Sequence, residues 1–441
     1  MKTILLLGAG KSATFLIEYL LENAPKNQWK LQVADVNATI AKQKIGLSPY
    51  GEGIGTDITD EQSRKLLISQ ADLVISLLPP QLHILVARDC LFLGRHLFTA
   101  SYMDEEVKKL ENEIKRKGLF FLYEMGLDPG IDHMSAMELI ERIQLDGGNI
   151  LSFISHCGGL VAKHSDNNPW HYKISWNPAN VVQAGKSGAS YRWKKQIVEL
   201  SYNELFAENR IVTIQGAEEL AWYPNRNSLN YATLYGVNHA ETFVRTTIRH
   251  PHFIKGWHYL IQLQLTNEQP VFTVEGENFA TFFERLLSFN QVEKIFQQIV
   301  KQDPLAIDHF KSLGFFDTQN VLTRSTYTPA LFLQECIERN LKMELLDTDR
   351  VIMQHEIIFE KKGETKRLIS TLDIEGMDAT HTAMAKTVGL PLALAVTHFL
   401  NGEMALTGLQ IPTHEKIYKI VLPTLESVGI RFAEMETAIN F

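Results

Sequence analysis

The chain has 441 residues, 45% hydrophobic and 21% charged, with 27 glycines and 15 prolines, which excludes disordered, collagenous and disulfide-scaffold classes. At roughly 150 residues per domain, two or three folding units are expected. A formal net charge of −8 argues against a nucleic-acid partner, which would need a basic footprint to displace counterions.

Cys90, Cys157 and Cys336 show no Cys-x-x-Cys spacing, as expected for a reduced, cytoplasmic protein. The apolar run Ile4–Leu7 stops at Gly8, too short for a secretory leader. No stretch reads as approaching the roughly 18 apolar residues of a membrane span, so no membrane partner is expected.

Ile4–Leu7 reads as a strand covered on both faces, as in a parallel sheet. Ser12–Leu21 has helical spacing, with Ala13, Leu16, Ile17 and Leu20 on one face. Strands follow at Leu31–Ala34, ending at Asp35, and at Leu73–Ser76. A helix around Leu82–Leu93, a strand at His96–Thr99, a charged helix over Asp104–Lys117 and a strand at Leu119–Tyr123 continue the alternation. Strands alternating with helices imply βαβ crossovers and a doubly wound sheet.

The pattern changes after Asp128-Pro129-Gly130. From Leu151 to Ile261 the chain is richer in strands, aromatics and irregular turns. Residues 285–345 read as helical, for example Val292–Val300 and Pro329–Asn340. Val351–Phe359 and Arg367–Leu372 form a hairpin around Lys361-Lys362-Gly363-Glu364, and Ala383–Leu400 is a late helix.

Gly8-Ala9-Gly10-Lys11-Ser12-Ala13 follows the first strand and opens a helix. Gly8 permits a tight turn, Gly10 lets backbone N–H groups approach a pyrophosphate, and the small Ala13 allows close helix–strand packing. Lys11 and Ser12 lie at the helix N-terminus, whose partial positive charge suits phosphates. Gly10-Lys11-Ser12 also resembles the end of a P-loop, but the glycine required five residues earlier is Leu5. The motif therefore reads as dinucleotide-binding, with a nicotinamide cofactor, NAD(P)(H).

Asp35 lies about 20 residues further on, where a carboxylate accepts from a ribose 2′-OH and repels a 2′-phosphate. No arginine follows in Asp35-Val36-Asn37, so NAD(H) is expected to be preferred over NADP(H), with Lys11 or a lysine of 42–44 offsetting part of the repulsion. His250 and His252 could share one face of a strand, but no third ligand is evident, so no metal is expected. Leu127-Asp128-Pro129-Gly130-Ile131-Asp132-His133 follows the last strand of the nucleotide domain and faces the cofactor cleft, with Asp132 able to cap the next helix.

Together with Ala100-Ser101-Tyr102, Cys157-Gly158-Gly159, Tyr172-Lys173, Ser175-Trp176, Pro224-Asn225-Arg226, Arg245-Thr246-Thr247-Ile248-Arg249 and Met384-Ala385-Lys386-Thr387-Val388-Gly389, these motifs make the chain resemble the saccharopine reductase family almost end to end. The resemblance implies an oxidoreductase of the lysine pathway that interconverts saccharopine with L-glutamate and 2-aminoadipate 6-semialdehyde. It implies Asp128, Cys157 and Tyr102 around the reacting nitrogen, and Ser101, Tyr102, Asp128, Arg226, Thr247 and Arg249 against the substrate. Arginine suits such a substrate because its planar fork binds both oxygens of a carboxylate. Asp57, Leu78 and Pro79 would complete the cofactor contacts, and a homodimer is implied.

The expected fold class is α/β. A Rossmann doubly wound domain would cover 1–129 and 385–441, and a mixed α/β substrate and dimerisation domain 130–284 and 346–384. A helical subdomain would cover 285–345. One departure from the family pattern is Asn177-Pro178-Ala179-Asn180, where a basic residue is expected near 179. Two other readings share the fold: a related imine reductase, such as carboxynorspermidine dehydrogenase or homospermidine synthase relatives, and a non-catalytic nucleotide-binding redox sensor. Asp128, Cys157, Arg226 and Arg249 in one chain speak against the sensor.

Overall fold

A computed structural model describes residues 1–439. The chain divides into two compact units, residues 1–149 with 380–433, and residues 150–379 with 434–439.

The first unit is built on strands β1 (Lys2–Leu7), β2 (Trp29–Asp35), β3 (Gly51–Gly55), β4 (Leu73–Ser76), β5 (His96–Thr99) and β6 (Phe120–Leu122). With Gly408–Gln410 they form a seven-stranded sheet, in the order Gly408–Gln410, β6, β5, β4, β1, β2, β3. Every pairing in it is parallel. Ile4, Leu5, Leu6 and Leu7 of β1 are wholly buried, each contributing about 1.5–3 kcal/mol of apolar burial. From β1 the chain goes first to β2 on one side and later to β4 on the other. Such a reversal opens a crevice at the strands' carboxyl ends.

Helix α1 (Thr14–Asn27) begins after a 3-10 turn over Lys11–Ala13 and buries Leu16, Ile17 and Leu20. Helix α2 (Ala38–Ile45), β3 and the helix Glu61–Gln70 fill a stretch in which no element was predicted. The single helix expected over Asp104–Lys117 is two short ones, Glu105–Lys108 and Glu111–Arg116.

The helix Ala383–Leu400 corrects the expectation that no stretch approaches a membrane span. It is long and apolar enough by length and composition, yet 72% of it is buried inside the fold. It packs on α1 so tightly that a Cβ at Gly389 would lie 3.0 Å from the Leu16 nitrogen.

Three domain boundaries are corrected. The helix Ile131–Leu145 belongs to the first unit, which therefore extends to 149 rather than 129. The chain returns to the first unit at 380 and leaves it again at 433, because Ala433–Ala438 adds a strand to the second unit's sheet. The helices of 285–345 are not a separate unit either. Phe283, Ile299, Phe310 and Phe332 share one core with Trp170, Tyr172, Phe253 and Trp257.

The second unit's ten-stranded sheet runs Arg210–Val212, Leu220–Pro224, Thr242–Arg249, β7 (Asn149–Val161), Asp349–Lys361, Glu364–Glu375, Ala433–Ala438, with three further strands off this path. The hairpin of Asp349–Lys361 and Glu364–Glu375 is longer than expected. Lys362 and Gly363 at its tip both have positive φ, 53° and 79°, as a two-residue turn matching strand twist requires. The strand expected to carry His250 and His252 ends at Arg249; Pro251 opens the helix Pro251–Gln262, with His250 as its cap.

One loop is fixed by a backbone crossing. Gly130 has φ 147°, and a Cβ there would lie 2.1 Å from the Gly126 oxygen and 2.3 Å from its nitrogen, neither of which can move cheaply. Gly130→Ala should destabilise the first unit by about 3 kcal/mol through combined strain and overpacking. Gly147→Ala, at φ 77° but facing open space, should cost only about 1 kcal/mol. Urea unfolding midpoints measure both, and equal midpoints would refute the crossing as the constraint.

Candidate functional site

The first unit gathers polar groups at the carboxyl ends of its strands. Gly8 has φ 100°, and a Cβ there would lie 2.7 Å from the Leu77 carbonyl oxygen, so only glycine carries β1 past the end of β4. Half-buried Leu78 and exposed Pro79 follow on that side. A Cβ at Gly10 would meet nothing within 4 Å, which leaves the turn open to an approaching ligand. Exposed Lys11 and half-buried Ser12 border it, and Ala13 is buried beneath.

Lys44 of α2 donates to the Gly10 carbonyl at 2.7 Å and to Thr14 Oγ1 at 2.9 Å. Burial pulls its pKa down to about 8, against the opposing pull of Glu18 and Asp35. Asp35 acts as a clamp: Oδ2 accepts from the Ala9 N–H and Oδ1 from the Asn37 N–H, each at 2.8 Å. Exposed Asp57 closes a turn after β3, accepting from both the N–H and the hydroxyl of Thr59 at 2.8 Å. Those hydrogen bonds hold its pKa below the usual carboxylate range.

Beyond β4 and β5, His83 lies between two hydroxyls, with Nδ1 2.8 Å from Ser76 Oγ and Nε2 2.6 Å from Ser101 Oγ. Burial lowers its pKa to about 4, so the neutral ring donates at one nitrogen, accepts at the other and orients Ser101. Sequence reasoning missed His83; its only signal was a polar residue at the start of the helix that follows the strand.

Tyr102 donates its hydroxyl to Asp128 Oδ1 at 2.7 Å. Asp128 sits on a loop closed by Gly126 N–H to Pro129 O at 2.8 Å and Ile131 N–H to Gly126 O at 2.9 Å. Behind it lies a buried cluster that the sequence also left unseen. Glu124 accepts from the Met103 N–H at 3.0 Å and meets His133 Nε2 at 2.9 Å. Asp132 accepts from the Gly130 N–H at 2.6 Å, bracing the loop rather than capping the helix as expected.

In the second unit, β7 lies parallel to Thr242–Arg249 with Cys157 opposite Thr247, and Tyr223 faces Thr247 from the other side. Cys157, Thr247 and Tyr223 thus form one row across three strands. Arg249, at the strand end, is buried over the rings of Tyr172 and Phe253, 5.5 and 5.7 Å from their centroids. Its Nη1 donates to the Ile248 carbonyl at 2.8 Å. Its buried Nε has no hydrogen-bond partner among the described residues, a cost that a ligand oxygen would remove.

Arg226 is exposed, on a two-residue strand beside Ala189-Ser190. Its φ of 51° is a left-handed conformation that few non-glycine residues adopt. Where a basic residue was expected near 179, Asn177 caps a short helix, accepting from the Ala179 N–H at 3.0 Å. The expectation that His250 and His252 lack a third companion is also corrected, since His171 joins them.

Two family domains match the chain: the saccharopine dehydrogenase NADP binding domain over residues 4–122 and the saccharopine dehydrogenase C-terminal domain over residues 126–430. A saccharopine dehydrogenase [NADP(+), L-glutamate-forming] of Schizosaccharomyces pombe is 31% identical over 98% of this chain and 99% of its own. The alpha-aminoadipic semialdehyde synthase of Arabidopsis thaliana is also 31% identical over 98% of this chain, which spans only 44% of that longer relative. The apo structure of the Saccharomyces cerevisiae saccharopine dehydrogenase (L-Glu forming) superposes with TM-score 0.85 at 28% identity, covering 99% of this chain and 100% of that one.

These comparisons overturn the expected preference for NAD(H): the matching domain is an NADP binding domain, and the S. pombe relative is named for NADP(+). The expectation rested on the spacing of Asp35, and that spacing also serves the chain itself: each carboxylate oxygen accepts from a backbone N–H, of Ala9 and of Asn37.

His83 gives this region a measurable pH signature. Its folded pKa of about 4 lies below the roughly 6.5 of an unfolded histidine. The unfolded chain therefore binds more protons between these values, and stability falls as pH drops from about 6.5 through about 4. His83→Gln should remove part of that slope, on the order of 3 kcal/mol at most. Urea unfolding across this range measures it, and an unchanged slope would contradict a neutral His83.

Proposed function

The chain belongs to the saccharopine dehydrogenase family, and we propose that it works as an NADP(H)-dependent oxidoreductase of lysine metabolism. It interconverts saccharopine with L-glutamate and 2-aminoadipate 6-semialdehyde. Saccharopine joins the ε-nitrogen of lysine to the α-carbon of a glutarate unit. Loss of hydride from the lysine-side carbon leaves an imine, water adds, and the carbinolamine collapses to the two products.

When bound, NADP+ supplies the hydride acceptor. The chain's residues fit such a cofactor: the turn at Gly8 passes Leu77 without a side chain, and the face at Gly10 is open. Gly8, Gly10, Lys11, Ser12 and Ala13 would hold the pyrophosphate at the helix start, with Lys44 adding a cation beside Gly10.

Hydride leaves only from a neutral amine, so a nearby group must take the amine proton. Asp128 has the right chemistry, as a carboxylate already accepting from Tyr102. Tyr102 orients it, and the Cys157 thiol is chemically a second proton-handling group. Saccharopine also carries three carboxylates. Arg249 and Arg226 suit two of these, with the Thr247 hydroxyl beside Arg249.

The observation that carries the reading is Arg249, a buried guanidinium with a donor left over. Wild-type protein with saccharopine and NADP+ should produce reduced cofactor and free glutamate; failure to do so would overturn the assignment. Arg249→Ala should raise the saccharopine KM by about 1.5 to 3.5 orders of magnitude, since stranding a buried carboxylate costs about 2–5 kcal/mol. The cofactor KM should barely change. A wild-type saccharopine KM in that variant would remove Arg249 from the substrate site.

A further inference from the structure

Three histidines in the second unit meet at the corner between Thr242–Arg249 and Pro251–Gln262. His171, His250 and His252 each bring one ring nitrogen within 4.8 Å of the others. The His171 and His250 rings stack at 3.8 Å between centroids, and His252 meets them edge-on at 5.2 and 5.0 Å. We propose that this trio is a binding site for a divalent transition metal of the Zn2+ class.

The nitrogens are sorted for the task. His171 Nδ1 lies 2.5 Å from Asp166 Oδ2, which leaves Nε2 for a metal. A carboxylate behind a ligating imidazole fixes the tautomer and raises its basicity. His250 Nδ1 accepts from the His252 N–H at a long 3.3 Å; ligation through Nε2 takes the other tautomer and gives up that contact. An all-imidazole set suits Zn2+, Cu2+ or Ni2+, whereas Mg2+ and Ca2+ take oxygen ligands.

His171 is held in place against the preference of its backbone. Its φ is 47°, in the left-handed region, and its N–H is tied to the Asn168 carbonyl at 3.0 Å. The Asn168 side chain also bridges the Trp170 N–H and the Tyr172 carbonyl, each at 3.0 Å. A left-handed residue maintained by such ties points to a functional constraint.

Two carboxylates stand close by, Asp166 against His171 and Asp303 near His252. The opposing Lys255 is ion-paired to Asp303 at 2.7 Å. A tetrahedral site with Zn–N of about 2.0–2.1 Å needs nitrogens roughly 3.3 Å apart. The exposed His252 can close that gap by side-chain rotation. Three protein ligands leave a fourth position for water.

The test uses the full chain without a polyhistidine tag, stripped with a chelator and titrated with Zn2+ by calorimetry and Co2+ by visible absorption. One equivalent should bind per chain, with Co2+ giving the intense bands of tetrahedral coordination. His252→Ala and His171→Ala should each weaken binding at least tenfold, while His239→Ala, at an exposed position, should leave it unchanged. Circular dichroism identifies any variant that fails to fold; His252→Ala, on an exposed side chain, keeps the test decisive. Absence of stoichiometric binding would overturn the site. So would binding that survives His252→Ala but is lost in Cys157→Ser.

Discussion

The hydrogen bond from Tyr102 to Asp128 survives only because the loop carrying Asp128 cannot relax. Half-buried carboxylates ordinarily exchange such partners for water, which makes an isolated pair weak. Here the backbone of Gly130 lies almost against that of Gly126, and Asp132 ties the Gly130 N–H from below. Glu124 joins the Met103 N–H, next to Tyr102, to His133 on the helix that follows the loop. Donor and acceptor are therefore fixed by one buried cluster, and the chemistry proposed for Asp128 depends on that rigidity.

The same logic of positioning by backbone recurs in both units. In the first, the parallel sheet delivers Gly8, Ser76 and Thr99 at the carboxyl ends of adjacent strands, where a doubly wound fold binds its ligand. Asp35 uses its charge to hold the glycine turn. In the second, register puts Cys157, Thr247 and Tyr223 in a row, and Arg249 closes the strand against two aromatic faces. The guanidinium gains about 1–2 kcal/mol from each desolvated ring without spending all of its donors.

Elements whose signal is local were legible in the sequence. Leu73–Ser76, His96–Thr99, Pro329–Asn340 and Ala383–Leu400 appear where apolar pattern and flanking residues place them. Strand β3 was illegible because its residues Gly51, Gly53 and Gly55 read as loop. They are glycine because α2 lies on that edge, and a Cβ at Gly53 would sit 2.8 Å from the Lys42 nitrogen. Asp104–Lys117 has a continuous helical pattern, yet the chain breaks at Lys109-Leu110, a choice spacing does not encode. Among the candidate residues, Asp128, Arg226 and Arg249 stand in recognisable motifs. His83, Glu124 and His171 do not, because what singles them out is a partner distant in sequence or an unusual φ. Asp35 shows the converse: its position was legible, but its hydrogen bonds to Ala9 and Asn37 were not.

The central claim is that Asp128 takes the amine proton while Tyr102 donates to it. The pH dependence of kcat/KM for saccharopine tests this most directly, in wild type, Tyr102→Phe and Asp128→Asn. A hydrogen bond to the ionised carboxylate favours that form, so removing the Tyr102 hydroxyl should shift the acid limb to higher pH. Asp128→Asn should abolish that limb and lower the plateau by about 10²–10⁴-fold. Three superimposable profiles would contradict the account and leave Asp128 a structural residue of its loop.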